Sequence, residues 1–155
     1  MDLALAADAY EMGTLEFLRA VDLVNDANID RRVEGGWSAR QVVHHVADSE
    51  TQSYARLRRL LGEPLGSSVQ GYDEAAWAEC QALGYQELPI ENSTALIIAA
   101  RRSSLDIVRR LGPEHLDRYG EHTETGRYTL RSWIDVYTRH PLEHAAQLIE
   151  AINAA

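Results

Sequence analysis

Two of the chain's six histidines, His140 and His144, stand four residues apart. Steps of three and four around them read Leu130, Trp133, Tyr137, His140, His144, Leu148 and Ala151. On a helix this is an apolar stripe broken in its middle by two imidazoles on one face. Burying two polar rings without partners is costly. Hydrogen bonds to the surrounding core remove that cost. So does a shared divalent ion, which histidines at i and i+4 are spaced to reach. His45 is a third candidate, far upstream in a second strongly helical segment. Three imidazoles from two helices would leave positions on an ion open for water or substrate, the pattern of a catalytic metal site.

His45 shares its stripe with Val42, Ser49, Gln52 and Arg56, a small and polar face that leaves room for a pocket. Asp48 stands close to the same face. It is the candidate for orienting a ligand or accepting a proton, against the plainer reading of an exposed helix acid. Tyr72 and Trp77 are placed to roof a pocket or simply to pack. Cys80 has no basic neighbour to activate it as a nucleophile. Other chemistries are excluded. A zincin carries glutamate after its first histidine, and here Pro141 follows His140. No glutamate has a histidine three residues later, as a di-iron bundle requires. CxxC pairs, Gly-rich phosphate loops and G-x-S-x-G elbows are missing from the sequence.

Four helical segments must position these residues. The first carries Leu3, Ala7, Tyr10, Thr14, Phe17, Val21 and Val24 at helical spacing and is expected to end near Asn25–Asn28. The second starts at Ser38, where Gln41 completes a capping box and Trp37 can staple onto Val42, and stops at Gly62 and Pro64. The third spans about Ser93 to Leu111, with Ile97, Ala100, Ser104, Val108 and Leu111 inward. The fourth is capped by Thr129 after a turn-rich stretch, Tyr119 to Arg127. Pro141 disfavours helical geometry at His140 and predicts a kink. Between the second and third helices, Leu65 to Pro89 is a long connection with one short helix at Asp73–Cys80. The expected fold is all-α, a four-helix bundle whose long crossover between helices 2 and 3 allows a parallel step. One domain is expected over residues 1–155.

With a net charge of −9 the chain lacks the basic surface of a nucleic-acid binder. The arginine clusters Arg56, Arg58, Arg59 and Arg101, Arg102 read as solvated helix faces. Apolar runs are too short to span a membrane, and the first residues are acidic where a signal peptide is basic. A single cysteine permits no internal disulfide. A cytoplasmic protein is the expectation.

Three stretches resemble the DinB-like bundle superfamily and its YfiT-like branch. They are Gly36–Glu50 (GWSARQVVHHVADSE), Val69–Glu79 (VQGYDEAAWAE) and His140–Ile149 (HPLEHAAQLI). The resemblance runs from the first helix to the C-terminus, and the Gly36–Glu50 stretch is its most specific part. It implies a divalent metal, zinc or nickel, bound by three histidines. The helix-two ligand of that family lies eight residues after the tryptophan, which here is His45 rather than His44. The helix-four pair maps onto His140 and His144. The chain departs from many relatives in carrying Glu143 where they have a further histidine. The resemblance implies a metal-dependent enzyme acting on a small molecule, either a hydrolase or an S-transferase using a low-molecular-weight thiol such as bacillithiol or mycothiol. A homodimer also accords with it. The alternatives are a bundle that holds a metal or small ligand without turnover, and a purely structural bundle with histidines in its core.

Overall fold

The structure, a computed structural model, describes residues 1–154. Its main elements are α1 (Leu3–Val21), α2 (Ala39–Gly62), β1 (Ser68–Val69), α3 (Glu74–Glu79), α4 (Glu91–Val108), β2 (Tyr119–His122), β3 (Gly126–Thr129) and α5 (Leu130–Asn153). Four long helices form the bundle, and α3 lies in the crossover between α2 and α4, as the sequence implies.

Local chemistry explains the ends. Ser38 and Gln41 make both bonds of the capping box that opens α2, and Thr129 caps α5 by accepting from Ser132 N. Asp73 caps the short helix α3. The first helix stops earlier than its apolar spacing predicts. Beyond Val21, the Asn28 side chain accepts from Asn25 N and the Asn25 side chain accepts from Ala27 N. These asparagine bonds compete with helical ones and turn the chain.

α1 packs on α5 and α4, and α2 packs on the same two helices. α1 and α2 are therefore diagonal partners, as are α4 and α5, whereas α2 and α4 are neighbours. The crossover returns the chain so that α4 runs parallel to α2. His44 meets Ser93 near the start of both, and Arg58 meets Ser103 further along. α5 runs antiparallel to α2, which brings the end of α5 to the start of α2.

The stretch Tyr119–Arg127, expected as turns, forms most of the hairpin β2–β3, and β1 from the crossover joins it in parallel to make a three-stranded sheet. Its strands are too short to show an alternating pattern, and the β1–β2 pairing joins segments some fifty residues apart. Two apolar clusters form the core. One is built on Tyr10, Leu57, Leu105 and Trp133, the other on Phe17, Val42, Ile97 and Leu148. Between them runs a belt of polar residues: Thr14, His45, Glu50, Arg101, His140 and His144. Among the described residues no helix is long and apolar enough to cross a membrane.

Candidate metal centre

α2 presents His45 two turns after its capped start, and α5 presents His140 and His144 from the opposite direction. The three rings converge. Each offers a nitrogen, and these nitrogens lie within 4.8 Å of one another. Nε2 of His45 is 3.2 Å from Nε2 of His144, and Nε2 of His140 is 3.3 Å from Ser49 Oγ. His45 is 1% exposed and packs beneath Trp37, ring centroids 4.8 Å apart.

Burial keeps these rings uncharged. Desolvation, reinforced by His144, holds His45 at a pKa of about 3. Desolvation, then His144, His45 and Arg101, hold His140 at about 2. Desolvation also lowers His144, against the pull of Gln147. All three are neutral at pH 7, the state in which an imidazole can ligate a metal.

The donor set fits a divalent cation. His144 Nδ1 donates to Gln147 Oε1 at 2.7 Å, which leaves its Nε2 as a bare lone pair facing His45. Two zinc–nitrogen bonds of ~2.0–2.1 Å at a tetrahedral angle place their nitrogens ~3.3–3.4 Å apart, close to the 3.2 Å found. Nδ1 of His45 and Nδ1 of His140 are buried without any hydrogen-bond partner. Neither ring is therefore held by a hydrogen bond through Nδ1, while Nε2 of His45 faces His144 across 3.2 Å.

Pro141 sits inside α5 without ending it. It cannot supply the N–H that would bond to Tyr137 O. Arg101 supplies the replacement: Nη1 and Nη2 both donate to Tyr137 O at 3.2 Å. The same guanidinium donates to Glu50 Oε1, Thr14 Oγ1 and Tyr10 O. Arg101 is therefore no solvated residue, as its place in an arginine pair had implied. It is 1% exposed, and Glu50 beside it is equally buried. Opposite the proline, Gly13 lets α1 approach closely. A Cβ there would lie 3.0 Å from Thr138 O and 3.1 Å from the Pro141 ring.

The crossover is tied to α2 at several points. Asp48 Oδ2 accepts from Tyr85 OH at 2.6 Å, so this carboxylate is engaged in holding the crossover. His44 bonds through one ring nitrogen to Ser93 Oγ and through the other to Leu88 O, a fully partnered residue outside the cluster. Arg56 donates to Gln70 O and to Tyr137 OH. Tyr72 stacks at a tilt on Trp77, and its hydroxyl is buried without a partner. Cys80 is exposed.

Sequence reasoning missed Glu74. At the start of α3 its Oε2 lies 4.0 Å from His45 Nε2, the one carboxylate at ion-pair distance from the three rings among the described residues. Burial pushes its carboxyl up, with Arg56 pulling the other way. No spacing rule links it to His45, because the crossover alone decides where it falls.

The model of the DinB superfamily matches residues 9–148. A protein of Oceanobacillus iheyensis, named "Putative metal-dependent hydrolase", is 35% identical over 128 residues, covering 83% of this chain and 72% of its own. A Bacillus mycoides protein of the same name is 31% identical over 142 residues, covering 89% and 80%. Among solved structures, YfiT from Bacillus subtilis superposes with a TM-score of 0.85 at 28% identity, over 96% of this chain and 85% of that one. It is described as "a probable metal-dependent hydrolase with an unusual four-helix bundle topology".

Proposed function

The chain belongs to the DinB superfamily, and from that premise we propose that it is a hydrolase of small molecules that depends on a divalent cation held by His45, His140 and His144. The observation that carries this reading is the convergence of three neutral imidazoles from two helices at one point of the bundle. The names borne by its relatives support it.

When bound, the cation supplies Lewis acidity and lowers the pKa of a coordinated water or thiol, producing a nucleophile at neutral pH. The chain's own residues do the rest. Burial keeps the three imidazoles unprotonated, so no proton competes for their lone pairs. Gln147 fixes the tautomer of His144. Trp37 covers His45 on one side and excludes water there. Arg101 holds the backbone of α5 one turn before His140, where the proline leaves it open.

A low-molecular-weight thiol such as bacillithiol or mycothiol, entering in place of water, would turn the same centre into an S-transferase. The assay that decides uses zinc-loaded and chelator-stripped protein against a panel of small esters and amides, with and without added thiol. Hydrolysis without thiol that is lost on stripping supports the hydrolase. Turnover that appears only with thiol replaces it with the transferase. Neither zinc nor nickel conferring turnover with any member of the panel, with or without thiol, would leave a bundle that binds metal without catalysis.

A further inference from the structure

We propose that Glu74 is a fourth protein donor of this centre, its carboxylate ligating the cation beside His45, His140 and His144. The inference rests on the three-histidine reading above and adds to it a residue from a different part of the fold.

Position comes first. Glu74 stands in the first turn of α3, whose start is fixed by the Asp73 cap. The approach to that turn is anchored on both sides. Arg56 of α2 donates twice to Gln70 O, and Gly71 N donates to Thr123 Oγ1 of the hairpin. These bonds deliver the Glu74 carboxylate to 4.0 Å from His45 Nε2. Donors sharing a tetrahedral ion stand ~3.3–3.4 Å apart, so the remaining gap is within reach of a side-chain rotation. The side chain is 54% exposed and has room to make that rotation.

Charge comes next. Three neutral imidazoles offset none of the two positive charges of a divalent cation, and His45 is 1% exposed. A buried charge needs an opposite one nearby. The other acids of the neighbourhood are engaged elsewhere. Asp48 holds Tyr85, Glu50 holds Arg101, and Glu143 is 66% exposed beside Arg139. Glu124 lies against Gly71, where its carboxylate would collide with any added Cβ. Glu74 is left without a competing ion pair among the described residues.

A carboxylate on a six-residue helix is also a donor that can leave. The three imidazoles, by contrast, sit on long packed helices. The crossover thereby becomes part of the centre and not only its cover.

The test measures Zn²⁺ affinity of the full chain by competition with a chromophoric chelator, together with the visible absorption of the Co²⁺ form. Wild type, Glu74→Gln, Glu79→Gln and His144→Ala are compared. Glu79 lies on the same short helix and is exposed, so it controls for surface charge. The expected result is at least a ~10-fold loss of affinity in Glu74→Gln with a changed Co²⁺ spectrum, and no more than a two-fold change in Glu79→Gln. Thermal midpoints of the metal-free proteins should coincide, because Glu74 is a surface residue of α3. Glu74→Gln within two-fold of wild type, with the same spectrum, overturns the inference. If His144→Ala meanwhile abolishes binding, the three-histidine centre survives that result. A wild-type chain that takes up neither metal overturns both.

Discussion

The polar belt of this bundle has two halves that lie about one helical turn apart and obey opposite rules. In one, Arg101 is buried with every guanidinium N–H matched: Nε to Thr14, Nη1 to Glu50 and Tyr137 O, Nη2 to Tyr10 O and Tyr137 O. In the other, His45 and His140 each bury a ring nitrogen that nothing in the protein satisfies. The first half ties all four long helices together through Arg101 of α4, the second joins α2 to α5, and both interrupt an apolar core. Complete pairing marks a group whose task is to hold the fold. In the second half Nε2 of His45 and Nε2 of His144 face each other at 3.2 Å, a pair of nitrogens spaced to share a cation. Pro141 connects the two, because the carbonyl that it leaves open on Tyr137 is the one that Arg101 closes, one turn before the histidines.

The largest effect should come from breaking the satisfied half. Arg101→Met leaves Glu50 buried and unpaired and Tyr137 O unbonded, and should cost ~3–5 kcal/mol in urea unfolding. Adding Pro141→Ala to that variant restores an N–H for Tyr137 O and should recover ~1 kcal/mol. A double-mutant cycle reads the coupling. Strict additivity would show that the arginine does not stand in for the missing helical bond.

A smaller change sharpens the link between the halves. Gly13→Ala gains ~1 kcal/mol of helix propensity. Its new methyl, however, meets the Thr138 carbonyl and the Pro141 ring, which Arg101 holds in place. Net destabilisation of ~1 kcal/mol is expected, since overpacking costs ~1–3 kcal/mol. In the Arg101→Met background α5 can yield and the loss should shrink. A stabilised Gly13→Ala in the wild-type background would contradict the rigidity assigned to this contact.

Smallest is the cap. Ser38→Ala removes the side-chain bond at the start of α2 and should cost ~1 kcal/mol of stability. Zn²⁺ affinity should stay within two-fold, because packing under Trp37 and against α5 positions His45 two turns further on. A larger drop in affinity would mean that the helix start itself sets the centre.

Much of this was legible in the sequence, for identifiable reasons. Helix caps are local chemistry, and Ser38 with Gln41 and Thr129 declared their helices. His140 and His144 were conspicuous because polar rings broke an apolar period. The resemblance to DinB-like bundles, which the family match bears out, singled out His45 over His44, and the structure gives His44 two hydrogen-bond partners outside the cluster. Long-range pairings were not legible. Arg101 sits beside Arg102 in a helix with acids nearby, and only its partners on the other three helices (Glu50, Thr14, Tyr10 O and the Tyr137 carbonyl that Pro141 leaves open) explain why it is buried. The hairpin escaped notice because four-residue strands carry almost no periodicity. Glu74 and Tyr85 reach α2 by the path of the crossover, and no spacing within one element encodes that path.

The central claim is that the under-bonded half of the belt is a metal centre. Calorimetric titration of metal-stripped full-length protein with Zn²⁺ tests it most directly, with His144→Ala beside the wild type. About one Zn²⁺ per wild-type chain, and none in the variant, is the predicted result. No uptake by the wild type, or uptake that survives the loss of His144, would contradict the account.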